Sequence, residues 1–347
     1  MKFFFTLLLA LSLEFCAATA QAVLINGRTY TPLSDWARGN GLYGYTRNHG
    51  DEILLTNRTI RLVFNVDSAQ AEINGTNVRL SFPVANVKGV PFIAQFDLDK
   101  TVRPLLFPWR YLDAKRITTI CIDPGHGGKD TGNRVGGFFG HSEKTYTLLL
   151  ALELRDQLKK LGFNVVLTRS KDVYPELPAR PALANKVGAD LFVSLHFNAA
   201  QSGKSEVQGP ETYCITPVGA ASSNAQGEGS GSGATKANLY EIQSLLLAYQ
   251  MEKSLVRNLG AQDRGVRRAR FAVLRDAAMP AILIEGGYMT HPTEGKKIYD
   301  SAYRKKMAAA IVKGIVAYQK LTAPPVPPAQ AAANTSKSSG TVGHVKN

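Results

Sequence analysis

The sequence predicts an α/β protein, a mixed sheet flanked by helices, preceded by a small β-rich domain. Two textures and one loop carry that expectation. Up to about residue 112, apolar residues alternate with polar ones at the two-residue period of strands. From Lys115 onward, short apolar runs alternate with segments of helical spacing, the pattern of a sheet covered by helices. Between them, ICIDPGHGGKDTGN (Ile120 to Asn133) ends an apolar run on a glycine-rich turn and leaves His126 at the carboxyl end of a strand. Open α/β sheets bind ligands at that end.

Residues 1–20 place one lysine before an apolar run that ends in Ala18-Thr19-Ala20, the layout of a secretory signal peptide. The mature chain is expected to begin near Gln21 or Val23. The run is short for a membrane span, Glu14 interrupts its end, and Glu14 and Phe15 do not suit a lipidated Cys16. No later segment is apolar for long enough to span a bilayer. The expectation is an exported protein of the periplasm or cell envelope, or an extracellular one, with no transmembrane segment in the mature chain.

Residues 23–112 read as a spacer or wall-binding domain. Pro32 to Ala37 suits a short helix. Ile60, Leu62 and Phe64 alternate with polar residues, as do Ala71, Ile73, Val78 and Leu80 around Asn74-Gly75, a strong two-residue hairpin turn. His49, beside Gly50 and Asp51, reads as a turn residue. The hydrophobic spacing of VLINGRTYTPLSDWA and GVPFIAQFDL resembles the stalk-like repeat first named from the amino-terminal region of copper amine oxidases, and implies no copper here.

A catalytic domain is expected over residues 115–321. Ile117 to Ile122 is its first strand. Leu150, Leu154, Leu158 and Leu161 mark a helix closed by Gly162, and FNVVLT is the next strand. Glu176 to Val187 suits a helix, and ADLFVSLHFNA a strand ending at His196. Further strands are expected at ETYCI, FAVLR and PAILIEGG, and helices from Asn238 to Leu259 and through Tyr303, Met307, Ile311, Ile315 and Tyr318. Ala221 to Thr235 is rich in glycine and serine and reads as a loop, and residues 322–347 as a disordered Pro/Ala/Ser tail.

The formal charge of +14 is unchanged by removal of residues 1–20, which takes away Lys2 and Glu14 together. Such a charge favours an anionic partner, and export favours a membrane surface or an acidic envelope polymer. No dense basic run with interleaved aromatics suggests nucleic acid. Outside residues 1–20 the cysteines are Cys121 and Cys214, either a pair joined across strands or two buried thiols.

Chemistry concentrates at strand ends. His126 follows the first strand, His196 ends LFVSLH, Glu285 ends AILIE, and Glu143 opens the helix returning from the glycine loop. Two imidazoles and a carboxylate with an open position form a common catalytic zinc set, and a second carboxylate handles protons. Each residue also has a plainer reading: Glu143 as a helix amino-terminal charge, His196 as a core histidine, Glu285 as a buried salt-bridge partner. Glu285 resists it best, because a carboxylate between AILI and two glycines is costly to bury without a partner.

From about Thr119 to Lys320 the chain resembles the zinc-dependent N-acetylmuramoyl-L-alanine amidases of bacterial cell walls. The motifs are ICIDPGHGGKDTGN, GHSEK, RPALAN followed by ADLFVSLHFNA, DRGVRRARFAVLRDAAMPAILIEGGYMTH, and YRKKMAAAIVKGIVAY. The resemblance implies Zn2+ on His126, Glu143 and His196, with Glu285 as the catalytic glutamate. It implies hydrolysis of the amide between the lactyl group of N-acetylmuramic acid and L-alanine in peptidoglycan. Asn198 and Arg275 are candidates for the substrate groove, against packing and surface charge. Tyr288 and His291 stand where the family usually has phenylalanine and asparagine, and His291 is expected to start the final helix before Pro292, against the alternative of an imidazole that touches substrate or metal. Some relatives carry an inhibitory helix between the ETYCI strand and the next helix. Here that interval is a poor helix former, so no helical plug is expected. A zinc peptidase acting within the stem peptide and a non-catalytic wall-binding protein are the competing readings, and an activator protein is a further candidate partner.

Overall fold

The computed structural model describes residues 21–47, 51–136, 140–223 and 233–322. The signal segment, the middle of the Ala221–Thr235 loop and the tail from residue 323 lie outside them.

The amino-terminal region forms β1 (Val23–Ile25), β2 (Arg28–Pro32), β3 (Tyr43–Arg47), β4 (Glu52–Thr56), β5 (Arg61–Asn65), β6 (Gln70–Ile73), β7 (Thr76–Arg79), β8 (Ala85–Val87) and β9 (Val90–Ala94). A helix at Leu33–Gly39 follows β2. Asn74 and Gly75 turn β6 into β7 with φ of 47° and 79°, so that Ile73 faces Thr76 across the hairpin. Both central residues sit in the left-handed region that a two-residue hairpin of matching twist demands.

The second half adds β10 (Thr119–Pro124), β11 (Arg134–Val135), β12 (His141–Ser142), β13 (Asn164–Leu167), β14 (Leu191–Asn198), β15 (Glu211–Cys214), β16 (Val266–Arg268) and β17 (Ala281–Tyr288). The sheet runs β13-β10-β14-β17-β15-β16 and then continues through β7-β6-β5-β4-β3. It is mixed: β13, β10, β14 and β17 are mutually parallel, and β15 runs antiparallel to β17. Strands β3 to β7 therefore extend the same sheet, while β1, β2, β9 and β8 form a separate four-stranded sheet. Val78 pairs with Val266, the Asn77 amide donates to Asp263 Oδ2 at 2.7 Å, and the Tyr249 hydroxyl donates to the Ile73 carbonyl at 2.8 Å. This covers the edge that β16 would otherwise expose.

Alternation along the strands of the second half builds a core on each face of the sheet. Ile120, Ile122, Leu191, Val193, Leu195, Phe197, Ile282 and Ile284 face the helices Glu143–Lys160, Glu241–Leu259 and Ser301–Thr322. Cys121, Phe192, Ala281 and Leu283 face a thinner layer that contains Ala184, Val273 and Leu274. Cys121 and Cys214 belong to opposite faces, with β14 and β17 between their strands, and both are free buried thiols.

Local differences from expectation have physical causes. FAVLR is not a strand: Ala272–Arg275 is a single helical turn, held by Leu274 and Arg275 amides donating to the Phe271 carbonyl, while β16 takes the place beside β15. The helix expected from Glu176 starts at Ala179, after Pro178. Leu161 lies past the end of its helix and is 57% exposed. Thr322, expected in the tail, is the last residue of the final helix, and its carbonyl accepts the Lys115 amide at 2.8 Å. His291 does not start that helix. Its Nδ1 accepts the amides of Thr293 and Glu294 and so caps the preceding short helix, Glu294–Tyr299. Among the described residues, no helix is long and apolar enough to cross a membrane.

Candidate metal centre

The glycine loop after β10 can form only with residues lacking a Cβ at its tightest points. A Cβ on Gly125 would lie 2.3 Å from His196 Cε1, and one on Gly132, whose φ is +60°, would lie 2.6 Å from both Glu143 Oε2 and His126 Cδ2. His126 itself takes φ of 61°, an uncommon backbone state for a residue with a side chain. Two arginines brace the loop. Arg180 Nη2 donates to the His126 carbonyl at 3.0 Å, and Arg169 donates to the Pro124 and Gly125 carbonyls at 2.9 and 2.8 Å. Arg180 is anchored in turn on buried Asp123 at 2.9 Å, which also accepts the Ser194 and Thr168 hydroxyls.

Three sequence-predicted residues converge here. His126 Nε2 lies 3.0 Å from Glu143 Oε1, His196 Nδ1 lies 3.0 Å from the same oxygen, and the two ring nitrogens are 3.1 Å apart. They are the one group among the described residues with the makeup and spacing of a metal site. Zinc bonds of about 2.0–2.1 Å at tetrahedral angles separate donor atoms by roughly 3.3 Å, so this imidazole and carboxylate set fits that ion.

The surrounding groups fix each donor. Asp130 Oδ2 lies 2.8 Å from His126 Nδ1, which leaves Nε2 as the nitrogen facing the centre. Glu143 Oε2 accepts the backbone and side-chain N–H of Asn133, both at 2.9 Å, and Oε1 accepts the Phe197 amide at 3.0 Å. Burial pushes the Glu143 carboxyl up, but hydrogen bonds from His126 and His196 outweigh it and hold the group well below the usual range. Burial lowers the His126 proton affinity, and the Glu143 and Asp130 carboxylates more than restore it, for a net rise.

Glu285 completes the cleft. It pairs with His196 across β14 and β17 and lines a cavity of about 350 Å3 with His126, Glu143 and His196. Its Oε2 is buried and has no hydrogen-bond partner among the described residues. Burial, then the negative charges of Glu143 and Glu211, push its carboxyl well above the ordinary value. A carboxyl of high proton affinity beside a metal-type triad is equipped to take and return a proton.

The weaker substrate candidates fall elsewhere. Arg275 is exposed on its helical turn, outside the cavity lining, which Phe271, Ala272 and Val273 supply instead. Asn198 donates to Glu211 Oε1 at 2.6 Å, one strand beyond Glu285. Asp130, Asn133, Arg169 and Glu211 were not singled out in the sequence. Asp130 and Asn133 stand inside the glycine motif, where four-residue spacing from His126 was an available signal for the former.

A family model described as N-acetylmuramoyl-L-alanine amidase matches residues 120–317. The match begins at Ile120, so the stalk resemblance of residues 23–112 rests on hydrophobic spacing alone. The chain is similar to the N-acetylmuramoyl-L-alanine amidase LytC of Bacillus subtilis, 35% identical over 202 residues that cover 58% of this chain and 36% of LytC. It is similar to the N-acetylmuramoyl-L-alanine amidase AmiA of Escherichia coli, 31% identical over 226 residues, 59% of this chain and 76% of AmiA. Among solved structures, the amidase AmiC2 of Nostoc punctiforme aligns with 58% of this chain and 97% of its own at 32% identity and a TM-score of 0.49.

Proposed function

This chain belongs to the N-acetylmuramoyl-L-alanine amidase family, and we propose that it hydrolyses the amide joining the lactyl group of N-acetylmuramic acid to L-alanine in peptidoglycan. The observation that carries the reading is the meeting of His126 Nε2, Glu143 Oε1 and His196 Nδ1 within 3.1 Å of one another, beside Glu285, whose buried Oε2 has no hydrogen-bond partner among the described residues. His126, Glu143 and His196 would hold Zn2+, because imidazole nitrogens favour it over magnesium. An ion held by these three residues would supply Lewis acidity to the scissile carbonyl and to the attacking water.

Glu285 takes one proton from that water as the new carbon–oxygen bond forms. It returns the proton to the alanine nitrogen as the carbon–nitrogen bond breaks, so the products are the lactyl carboxylic acid, which then gives its remaining proton to solvent, and a free amine. Asp130 keeps the His126 proton on Nδ1, and Asn133 with the Phe197 amide keeps Glu143 from rotating away. Leu177, Phe271 and Leu283 give the cleft apolar walls that limit water access.

Export to the periplasm or cell envelope fits residues 1–20 and a polymeric wall substrate. The strands of residues 23–112 fit a spacer or wall-binding part that is docked on the sheet. Digestion of insoluble peptidoglycan by the purified protein, followed by mass spectrometry, tests the reading. New amino-terminal L-alanine that disappears on chelation supports it, and new amines within the stem peptide would assign a peptidase instead.

A further inference from the structure

Beyond Glu285, the same face of the sheet carries a second polar cluster. Glu211 pairs with Glu285 across β15 and β17, and Tyr213 pairs with Arg267 across β15 and β16. Residues paired across neighbouring strands share a face, and residues two apart on one strand do too. His196, Glu285, Glu211 and Arg267 therefore stand side by side on the face that holds the metal-type centre. Glu211 is almost wholly buried. Its Oε1 accepts Asn198 Nδ2 at 2.6 Å and the Tyr213 hydroxyl at 3.1 Å, with the Tyr288 hydroxyl at 3.5 Å. Its Oε2 faces two guanidinium groups, Arg267 Nε at 2.8 Å and Arg264 Nε at 3.4 Å.

Two guanidiniums meet one carboxylate, and neither buried Nε–H is aligned on Oε2 well enough to form a hydrogen bond. Among the described residues, no partner engages the terminal nitrogens of Arg264 or Arg267, and their side chains are 24% and 23% exposed. Arg264 also lies over the Tyr288 ring, with its guanidinium carbon 5.0 Å from the ring centre. Two guanidinium forks with terminal N–H donors left over suit a carboxylate, which guanidinium binds through paired N–H donors.

We propose that Arg264 and Arg267, held by Glu211, form a subsite for a carboxylate on the peptide side of the scissile amide. From β17 to β16 is two strand spacings, roughly 10 Å. Extended peptide covers that distance in about three residues, so the carboxylate belongs to the second or third residue after the bond that breaks. The subsite selects stem peptides with a free acid there and rejects those whose acid is amidated. This inference rests on the amidase reading.

The test compares two soluble N-acetylmuramoyl tripeptides that begin with L-alanine and differ only in whether their carboxylates are free or converted to primary amides. The zinc-loaded mature protein should cleave the free acid with kcat/KM on the order of 10-fold or more above the amide, the size expected for hydrogen bonds to a charged group. The difference should lie mainly in KM and shrink with added salt. Arg264→Gln and Arg267→Gln should bring the ratio towards one by raising KM for the acid, and Arg267→Lys should keep part of it. Equal cleavage of both forms by the unaltered protein would overturn the subsite while leaving the amidase reading intact. So would variants that slow both forms alike. Cleavage of neither form would remove the amidase reading and the inference with it.

Discussion

Asp130 and His126 form a carboxylate–imidazole pair, Oδ2 to Nδ1 at 2.8 Å, four residues apart in a loop that folds back on itself through mutual Gly127 and Asp130 amide–carbonyl bonds. The pair sets which ring nitrogen can face a metal. Asp130→Ala should therefore weaken zinc binding by about 10–100-fold while the protein keeps its fold. Competition with a chromophoric chelator reads that loss, and unchanged affinity would make Asp130 a loop residue only.

The close approach of the glycines to the centre makes a second expectation. Gly132→Ala puts a methyl group 2.6 Å from Glu143 Oε2, at a backbone angle that a side chain disfavours. Zinc content per chain should fall well below that of the unaltered protein, by more than any loss of helical circular dichroism explains. An alanine substitution at Gly162, where a Cβ would meet nothing within 4 Å, tests the strain of φ +85° without the clash and should leave zinc content unchanged.

Arg180 and Asp123 are both fully buried, so removing one partner strands the other's charge. Arg180→Ala should destabilise the protein by about 3–5 kcal/mol, read as a shift in denaturant midpoint. A change within a few tenths of a kcal/mol would show that water reaches Asp123 and replaces the guanidinium.

Protons compete with a metal at His126. In the metal-free protein its proton affinity is raised, because carboxylate contacts outweigh burial. The sign follows: His126 is protonated over a wider range in the folded metal-free chain than in an unfolded one, so it contributes stability at acidic pH that is lost as pH rises through its raised value. Metal binding runs the other way, because a ligand must be neutral. Zinc affinity should fall as pH drops below that value, and calorimetry in buffers of different ionisation enthalpy should detect proton release on binding. Binding without proton release would contradict the assignment of His126 as a ligand.

Much of this arrangement was legible in the sequence because it lies at strand ends. His196 and Glu285 each close an apolar run, and parallel pairing of β14 with β17 makes them neighbours without further information. Asn74-Gly75 was legible for a local reason, since two positive φ values select those residues. Glu211 was not, because its role depends on pairing between β15 and β17 and on arginines more than fifty positions later. The FAVLR turn differs from expectation because five residues with four apolar side chains suit a strand or a helical turn equally, and only the place already filled by β16 decides. Nothing in the alternation of residues 61–80 announced that β7 would pair with β16 and continue the catalytic sheet.

The central claim is that Glu285 moves protons and does not hold the metal. The most direct measurement is the zinc content and the peptidoglycan turnover of Glu285→Gln, taken on the same preparation. Zinc content should stay close to that of the unaltered protein, with release of amino-terminal L-alanine reduced by about 100-fold or more, the scale of a lost general base. Near-normal release, or a loss of zinc in proportion to the loss of activity, would contradict it.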